Sequence, residues 1–318
     1  MNATPVASVI IPAFQAASFL DCAIRSALEQ TLAEIEVIVV DDCSSDTTWD
    51  VMAEWARRDA RIVPLRQPVR GGPAAARNVA MAQARGRWLA LLDADDLYAP
   101  WRLAYMVELA EAMGADLLAD NLRRVDFHTG QDLGPRFADT TMRLPGAVTL
   151  TEAVRRDMPD QWSRGEMFGL LQPIMRRCAL AARRIRYAED VIVGEDFLLY
   201  FQCIAAGARF HLTPVAGYVQ RLRADSLSRS GEAMLHLSTA NRRMVALAAG
   251  CAEPGLLALL CRRQRRIDID CFALLLERGA IGAALRHAHC DTPAQLLRHA
   301  RAAAGAFRRR RVASARLA

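Results

Sequence analysis

Leu91-Leu92-Asp93-Ala94-Asp95-Asp96-Leu97 (LLDADDL) places three carboxylates directly behind an apolar run. Carboxylates are costly to desolvate and repel one another unless something positive sits among them. Two readings compete: a solvated turn after a strand, or a metal-ligand set at a strand's carboxyl end. Asp93 and Asp95 are two apart, so in an extended segment they point the same way. A second stretch repeats the design. Val37–Val40 (VIVV) runs straight into Asp41-Asp42.

Working outward, Val6–Ile11 (VASVII) reads as a buried strand ended near Pro12. Ser18 offers a helix cap, with Asp21 as its capping-box partner. Leu20, Ile24, Ala27 and Leu28 then follow at helical spacing. Thr47 caps a second helix through Val51 and Trp55, and Ile62–Leu65 is a third strand. Gly71-Gly72-Pro73 makes a turn into a helix over 74–84. Trp88–Leu92 is a strand, and a helix follows Pro100 to about Met113. Asp116–Ala119 closes the series as a short strand. Alternating strands and helices with short connections predict an α/β fold with a mostly parallel central sheet. Ligands of such sheets bind beyond the strands' carboxyl ends. Asp41, Asp42, Asp93 and Asp95 are therefore expected to converge.

Beyond 120 the pattern weakens. Leu170–Met175, Phe210–Leu212 and Tyr218-Val219 read as short strands. Gly194-Glu195-Asp196 opens a helix with Phe197, Leu198, Phe201, Ile204 and Ala205 at helical spacing. Residues 233–318 read as largely helical, broken near Pro254 and Pro293. The expected division is a catalytic domain over 1–232, with halves 1–120 and 121–232, and a basic helical extension over 233–318.

The chain has 318 residues, enough for a full α/β core. No run of about 18 apolar residues occurs, which argues against a spanning helix. Val245–Leu260 comes nearest and is broken by Glu253-Pro254. No basic segment followed by an apolar stretch opens the chain, so a cytoplasmic location is expected. None of the eight cysteines forms a CxxC pair, which argues against a zinc site or disulfide framework. All 41 basic residues are Arg. Residues 262–318 hold 13 of them against four acids, a net +9.

No GxGxxG turn follows the first strand and no GxxxxGK[ST] occurs, so glycine-cradled phosphate binding is excluded. Acidic residues would repel a diphosphate unless a divalent cation, Mn or Mg, is shared between carboxylate and phosphate oxygens.

Five segments carry a resemblance. They are Val9–Phe14 (VIIPAF), Val40–Asp46 (VDDCSSD), Gly72–Asn78 (GPAAARN), Asp93–Asp96 (DADD) and Gly194–Asp196 (GED). In this order and spacing the chain resembles the family 2 inverting glycosyltransferases, which have a GT-A type fold. The resemblance covers about 6–230 and is strongest before 120. It implies a UDP-sugar donor, with Pro12, Asp41 and Asp42 near the nucleoside, and Asp42 as loop or ribose support. It implies that Arg77 lies near the donor and that Asp93 and Asp95 bind donor and metal, Asp95 foremost. Asp96 would cap the next element. Asp196, preceded by Glu195, would be the base that deprotonates the acceptor hydroxyl. The helix N-terminus would keep that carboxylate ionised; plain helix capping is the alternative. Arg221, Arg223 or Ser226 would approach the diphosphate or order an active-site loop. Cys43 departs from the Gly or Asn usual in the family.

Asp93–Tyr98 together with Ala119-Asp120-Asn121 (ADN) looks like the succinoglycan-type exopolysaccharide glucosyltransferases. That implies UDP-glucose as donor and a lipid-linked oligosaccharide as acceptor. Without a Q-x-x-R-W motif, transfer of a single sugar is expected. Asp120-Asn121, Trp162 and Gln172 are acceptor-side candidates by position, while His211 reads as a core residue. The basic tail fits an anionic membrane surface at the inner face of the cytoplasmic membrane. A solvated helical surface is its alternative, and no nucleic-acid fold signature accompanies it. Helices 233–300 could equally form a homodimer surface. A nucleotide-sugar or glycan binding protein without turnover and a nucleotidyltransferase stand as alternative functions.

Overall fold

The computed structural model describes residues 4–144, 146–162, 166–223, 233–288 and 298–305. The apolar runs become buried strands separated by amphipathic helices. In chain order these are β1 (Ala7–Ala13), α1 (Leu20–Leu28), β2 (Ile35–Asp41), α2 (Thr48–Arg58), β3 (Ile62–Arg66), α3 (Gly72–Gln83) and β4 (Trp88–Leu91). The short β5 (Leu97–Tyr98), α4 (Arg102–Ala112), β6 (Leu117–Asp126) and β7 (Asp132–Pro135) follow. Next come α5 (Asp139–Met142), α6 (Leu150–Arg156), α7 (Pro159–Trp162), a 3-10 turn (Phe168–Leu170), β8 (Ile174–Arg176) and α8 (Arg177–Ala182). α9 (Glu195–Ala205), β9 (Phe210–Leu222), α10 (Ala233–Ala248), α11 (Leu256–Glu277) and α12 (Ile281–Leu285) complete the series, with a further helical stretch over 298–305.

The strands form one mixed sheet in the order β3-β2-β1-β4-β8-β6-β9-β5, with β7 on β6. β1, β2, β3 and β4 run parallel, as the alternation predicts. The three-residue β8 is antiparallel to both β4 and β6, and so joins the parallel half to the β6–β9 pair. The apolar core runs from β1 through α9 and on into α10 and the first turns of α11, where Met244 and Leu260 are fully buried. Cys203 and Cys271 are buried; Cys22 and Cys178 are exposed.

Three sequence expectations change. α1 starts at Phe19 with no side-chain cap, so Ser18 does not cap it. Phe19 N and Leu20 N instead donate to Ala16 O at 3.0 and 2.9 Å, and the entry to the helix is held by Ala16 N on Thr48 Oγ1 at 2.8 Å and Ala17 N on Asp46 Oδ2 at 3.2 Å. Thr47 does precede α2, but its side chain makes no cap. Second, the short strand at 116–119 is the start of a ten-residue β6, whose polar end is held between β7 and β9.

Third, the two short strands after 210 are one 13-residue strand, β9. Pairing skips from Ala119↔Leu212 to Asn121↔Ala216, a bulge that accommodates Pro214 without breaking the strand. Asp120 fills the bulge. Its Oδ2 accepts from Gly217 N and Tyr218 N, both at 3.0 Å. Its carboxylate also takes a two-point contact from Arg102, Nε at 2.9 Å and NH2 at 2.7 Å. Arg102 NH2 further donates to Gln172 O at 2.6 Å. Tyr98 and Tyr218 lie 4.3 and 5.3 Å from its guanidinium carbon. A Cβ on Gly217 would meet Arg102 Cγ at 2.9 Å, so only glycine fits there. Removing one partner of such a buried pair costs about 3–5 kcal/mol. Arg102→Met should therefore destabilise strongly in chemical denaturation, and Arg102→Met with Asp120→Asn should recover part of the loss. Equal stability of the single variant and the native chain would contradict this assignment.

Candidate active site

The carboxyl ends of β1, β2 and β4 bring the expected residues to one edge of the sheet. Pro12 pairs with Val40, Ala13 pairs with Asp41, and Ile10 pairs with Leu91. Asp41 is buried. Its Oδ1 accepts from Ser44 N at 2.9 Å, and Arg66 Nε lies 3.1 Å from Oδ2. Asp42 is consumed by the loop before α3. It accepts from Gln67 Nε2 at 2.6 Å, Gly71 N at 2.7 Å and Gly72 N at 2.8 Å. Loop support is thus its visible work. Directly after Asp42, Cys43 has φ 61°. That left-handed conformation suits Gly or Asn and accounts for the residues usual there.

The LLDADDL segment leaves β4 and turns back under β9. Asp96, expected as a cap, is an anchor instead. It is buried and accepts from Tyr218 Oη at 2.9 Å and Arg221 N at 2.8 Å. Asp93 N donates to the same Tyr218 hydroxyl at 3.1 Å. Asp93 and Asp95 stay partly open to solvent. Arg221 Nε donates to Asp95 O, and Arg223 Nε lies 3.6 Å from Asp95 Oδ2. Burial, then the Asp93 charge, pushes the Asp95 carboxyl above its ordinary range. Ser226 lies outside the described residues.

Arg77 joins this end to α9. It is only 3% exposed. Its NH2 donates to Asp93 Oδ1 at 2.9 Å. Its NH1 donates to Glu195 Oε1 at 2.9 Å and lies 3.2 Å from Asp196 Oδ1. Gly194, with φ 88°, turns the chain so that Glu195 and Asp196 open α9 side by side. Burial works against the Arg77 charge, but Asp196 and the other acids outweigh it and hold the guanidinium firmly protonated. Burial also raises both acids: Asp196 lies above its ordinary range, and Glu195 is pushed up to about 8, with Asp196 adding to the effect. The helix terminus alone therefore does not keep these carboxylates ionised; Arg77 is the main force lowering the Asp196 pKa.

Other candidates fall elsewhere. Asp120 is committed to Arg102, and Asn121 to the backbone of Phe137 and Leu122. Both are structural, which corrects the expectation that they approach an acceptor. Gln172 does reach the site: its Nε2 donates to Asp93 Oδ2 at 3.3 Å. Trp162 lies on α7, 5.2 Å from the Arg263 guanidinium carbon. His211 is buried in β9, as expected. Two residues escaped the sequence reading. Tyr187 is buried beside this cluster, the centroid of its ring 5.3 Å from the Arg77 guanidinium carbon. Asn78 fixes Tyr187 by a paired amide contact, at 2.9 and 3.0 Å. Asn78 stands in the GPAAARN motif, which was the available signal. The other is Tyr218, the shared partner of Asp93 and Asp96.

Among the described residues, no three or more His, Cys, Asp and Glu side chains cluster as a metal site. A nucleotide-bound Mg²⁺ needs only one or two carboxylates, with phosphates and water supplying the rest. Asp93 and Asp95, two apart in the chain and each partly open, are the carboxylates that would serve, with Asp93 also engaged by Arg77 and Gln172.

The Glycosyl transferase family 2 model matches residues 8–168. Two curated relatives come from Rhizobium meliloti (strain 1021). The succinoglycan biosynthesis protein ExoO is 35% identical over 229 residues, 72% of this chain and 64% of that protein. The succinoglycan biosynthesis protein ExoU is 35% identical over 225 residues, 70% of this chain and 64% of that protein. The chain thus spans somewhat under two thirds of the length of these relatives. Among solved structures, S. aureus TarS 1–349 in complex with UDP-GlcNAc superposes with a TM-score of 0.67 at 20% identity, over 86% of this chain and 83% of that one. That likeness shows a shared α/β fold with a central mixed sheet. The chain belongs to glycosyl transferase family 2.

Proposed function

We propose that this protein transfers a single sugar, with inversion, from a UDP-sugar to a saccharide acceptor in exopolysaccharide or cell-envelope glycan synthesis. One observation carries the reading. The buried Arg77 ties the donor-side Asp93, partly open to solvent, to the α9 acids Glu195 and Asp196. Inverting transfer needs that juxtaposition: a donor-binding edge and a base on the far side of the anomeric carbon.

In this reading the nucleoside rests against the ends of β1 and β2, beside Pro12 and Asp41. Arg221 and Arg223 lie where negative charge on the departing diphosphate would fall. Asp93 and Asp95 would hold Mn²⁺ or Mg²⁺, which supplies further stabilisation of that charge when bound. The acceptor hydroxyl attacks the anomeric carbon, the bond from that carbon to the diphosphate oxygen breaks, and Asp196 takes the hydroxyl proton. Glu195, whose carboxyl pKa is pushed up to about 8 by burial, sits beside Asp196 on the same guanidinium. Glucose as the sugar and a lipid-linked oligosaccharide as acceptor are proposed from the resemblance of Asp93–Tyr98 and Ala119–Asn121 to the succinoglycan-type glucosyltransferases; the two succinoglycan biosynthesis proteins support the exopolysaccharide setting.

We also place the protein at the cytoplasmic face of a membrane. Among the described residues no helix is long and apolar enough to cross one. Ile281 and Leu285, one turn apart on α12, are 60% and 64% exposed, and Arg278 and Arg286 beside them are exposed too. An apolar pair within a basic segment suits the interface of an anionic bilayer. Arg308–Arg311, the densest part of the basic tail, lie outside the described residues.

Asp196→Asn keeps shape and removes the base. It should retain UDP binding and lose transfer by about 10²-fold or more, measured as UDP release with a saccharide acceptor. Unchanged release would refute the assignment. UDP binding with no release from any UDP-sugar in the native protein would instead favour a binding protein. Vesicle flotation should show the protein on phosphatidylglycerol vesicles, weakened by Ile281→Asp with Leu285→Asp. Equal flotation of the two forms would remove α12 from the contact.

A further inference from the structure

α11 contains Arg262, Arg263, Arg265 and Arg266, a run that reads as solvated charge. Three of them are exposed. Arg263 is not: it is 1% exposed. Its Nε donates to Asp157 O at 2.8 Å, its NH2 donates to Asp157 Oδ2, and its NH1 donates to Asn241 Oδ1 of α10 at 2.7 Å. The centroids of the Trp162 and Phe197 rings each lie 5.2 Å from its guanidinium carbon. Phe197 directly follows Asp196 in α9.

The contacts continue toward the site. Asp157 Oδ1 accepts from Gly169 N at 3.0 Å, which fixes the 3-10 turn after α7. A Cβ on Gly169 would meet Phe197 Cβ at 3.0 Å, so this turn packs directly on the first turn of α9. Phe168 of the same turn meets the Phe197 ring edge-on at 6.3 Å. One guanidinium thus ties α10, α7, the 3-10 turn and α9 together. Burial raises the Asp157 pKa and lowers that of Arg263, so the pair is held at a desolvation cost. Stability alone is a weak reason to keep such a pair, because apolar residues of similar volume often serve as well.

We propose that Arg263 is a positioning residue of the active site: through Asp157 and Phe197 it fixes the N-terminal turn of α9, and with it Asp196, while holding Trp162 on the acceptor side. The proposal rests on the reading of Asp196 as the base, but its structural half can be tested without turnover. It makes α10 and α11 part of the catalytic unit, acting on the acceptor side rather than on the donor edge. Arg77 reaches Asp196 from the opposite side of the chain's order, through α3.

Arg263→Met alone strands a buried carboxylate and risks misfolding, so Arg263→Met with Asp157→Asn is the decisive variant. Hydrogen exchange should show the amides of 197–201 exchanging at least ten-fold faster in it, with β1 and β2 protected as in the native chain. UDP affinity in Mn²⁺ should stay within about two-fold. With UDP-glucose and a saccharide acceptor, kcat should fall about ten-fold or more at unchanged donor KM, and Arg263→Lys should recover only part of it. Native protection of α9 in the double variant would overturn the proposal. Loosened α9 with native kcat would overturn the catalytic half. If the native chain turns over no UDP-sugar, the function proposed above fails, and the exchange result still decides whether Arg263 fixes α9.

Discussion

A single buried cation, Arg77, sets the terms for the site. Three carboxylates from two distant segments, Asp93 after β4 and Glu195 and Asp196 at the start of α9, converge on its guanidinium. Like charges packed this closely would otherwise repel or protonate. Arg77 can sit there because α3 is rich in small residues, with Ala74, Ala75, Ala76 and Ala80 buried around it. Asp42 in turn anchors the first turn of α3 through Gly71 and Gly72. The strand end, the loop, the helix and the arginine form one continuous support from the sheet to the acids of α9.

Much of the parallel half was legible in the sequence. Apolar runs of four to six residues that stop at Asp or Pro are strong strand signals, and β1 to β4 formed where they occur. The long strands β6 and β9 were less visible. Each has a polar half whose place in the sheet is fixed by a partner far away in sequence, and Pro214 breaks the local pattern while the bulge opposite Asp120 absorbs it. Periodicity cannot report a pairing of that kind.

The site was legible as residue types and positions, less so as roles. The aspartates at the ends of β2 and β4 do gather at one edge. Of the acids used internally, Asp42 was expected to support its loop, while the roles of Asp96 as anchor of β9 and of Asp120 as partner of Arg102 did not show in the sequence. Arg77 was expected near the donor; it contacts Asp93 there and also reaches Glu195 and Asp196 of α9, a link the sequence did not show. Arg263 was hidden inside a basic run, because burial of one arginine among four depends on Asp157, 106 residues earlier. Cys43 shows the reverse case, where an unusual residue is explained by one backbone angle, φ 61°.

The proposed donor site is the strand-end edge where Asp93 and Asp95 would hold a divalent cation against the diphosphate of UDP. Calorimetric titration of the purified protein with UDP, in Mn²⁺ and again in EDTA, tests this most directly. Saturable binding in Mn²⁺, at least ten-fold weaker in EDTA, is the expected result. Equal affinity in both solutions would remove the metal from the donor site. No binding in either would contradict the assignment of this edge to UDP.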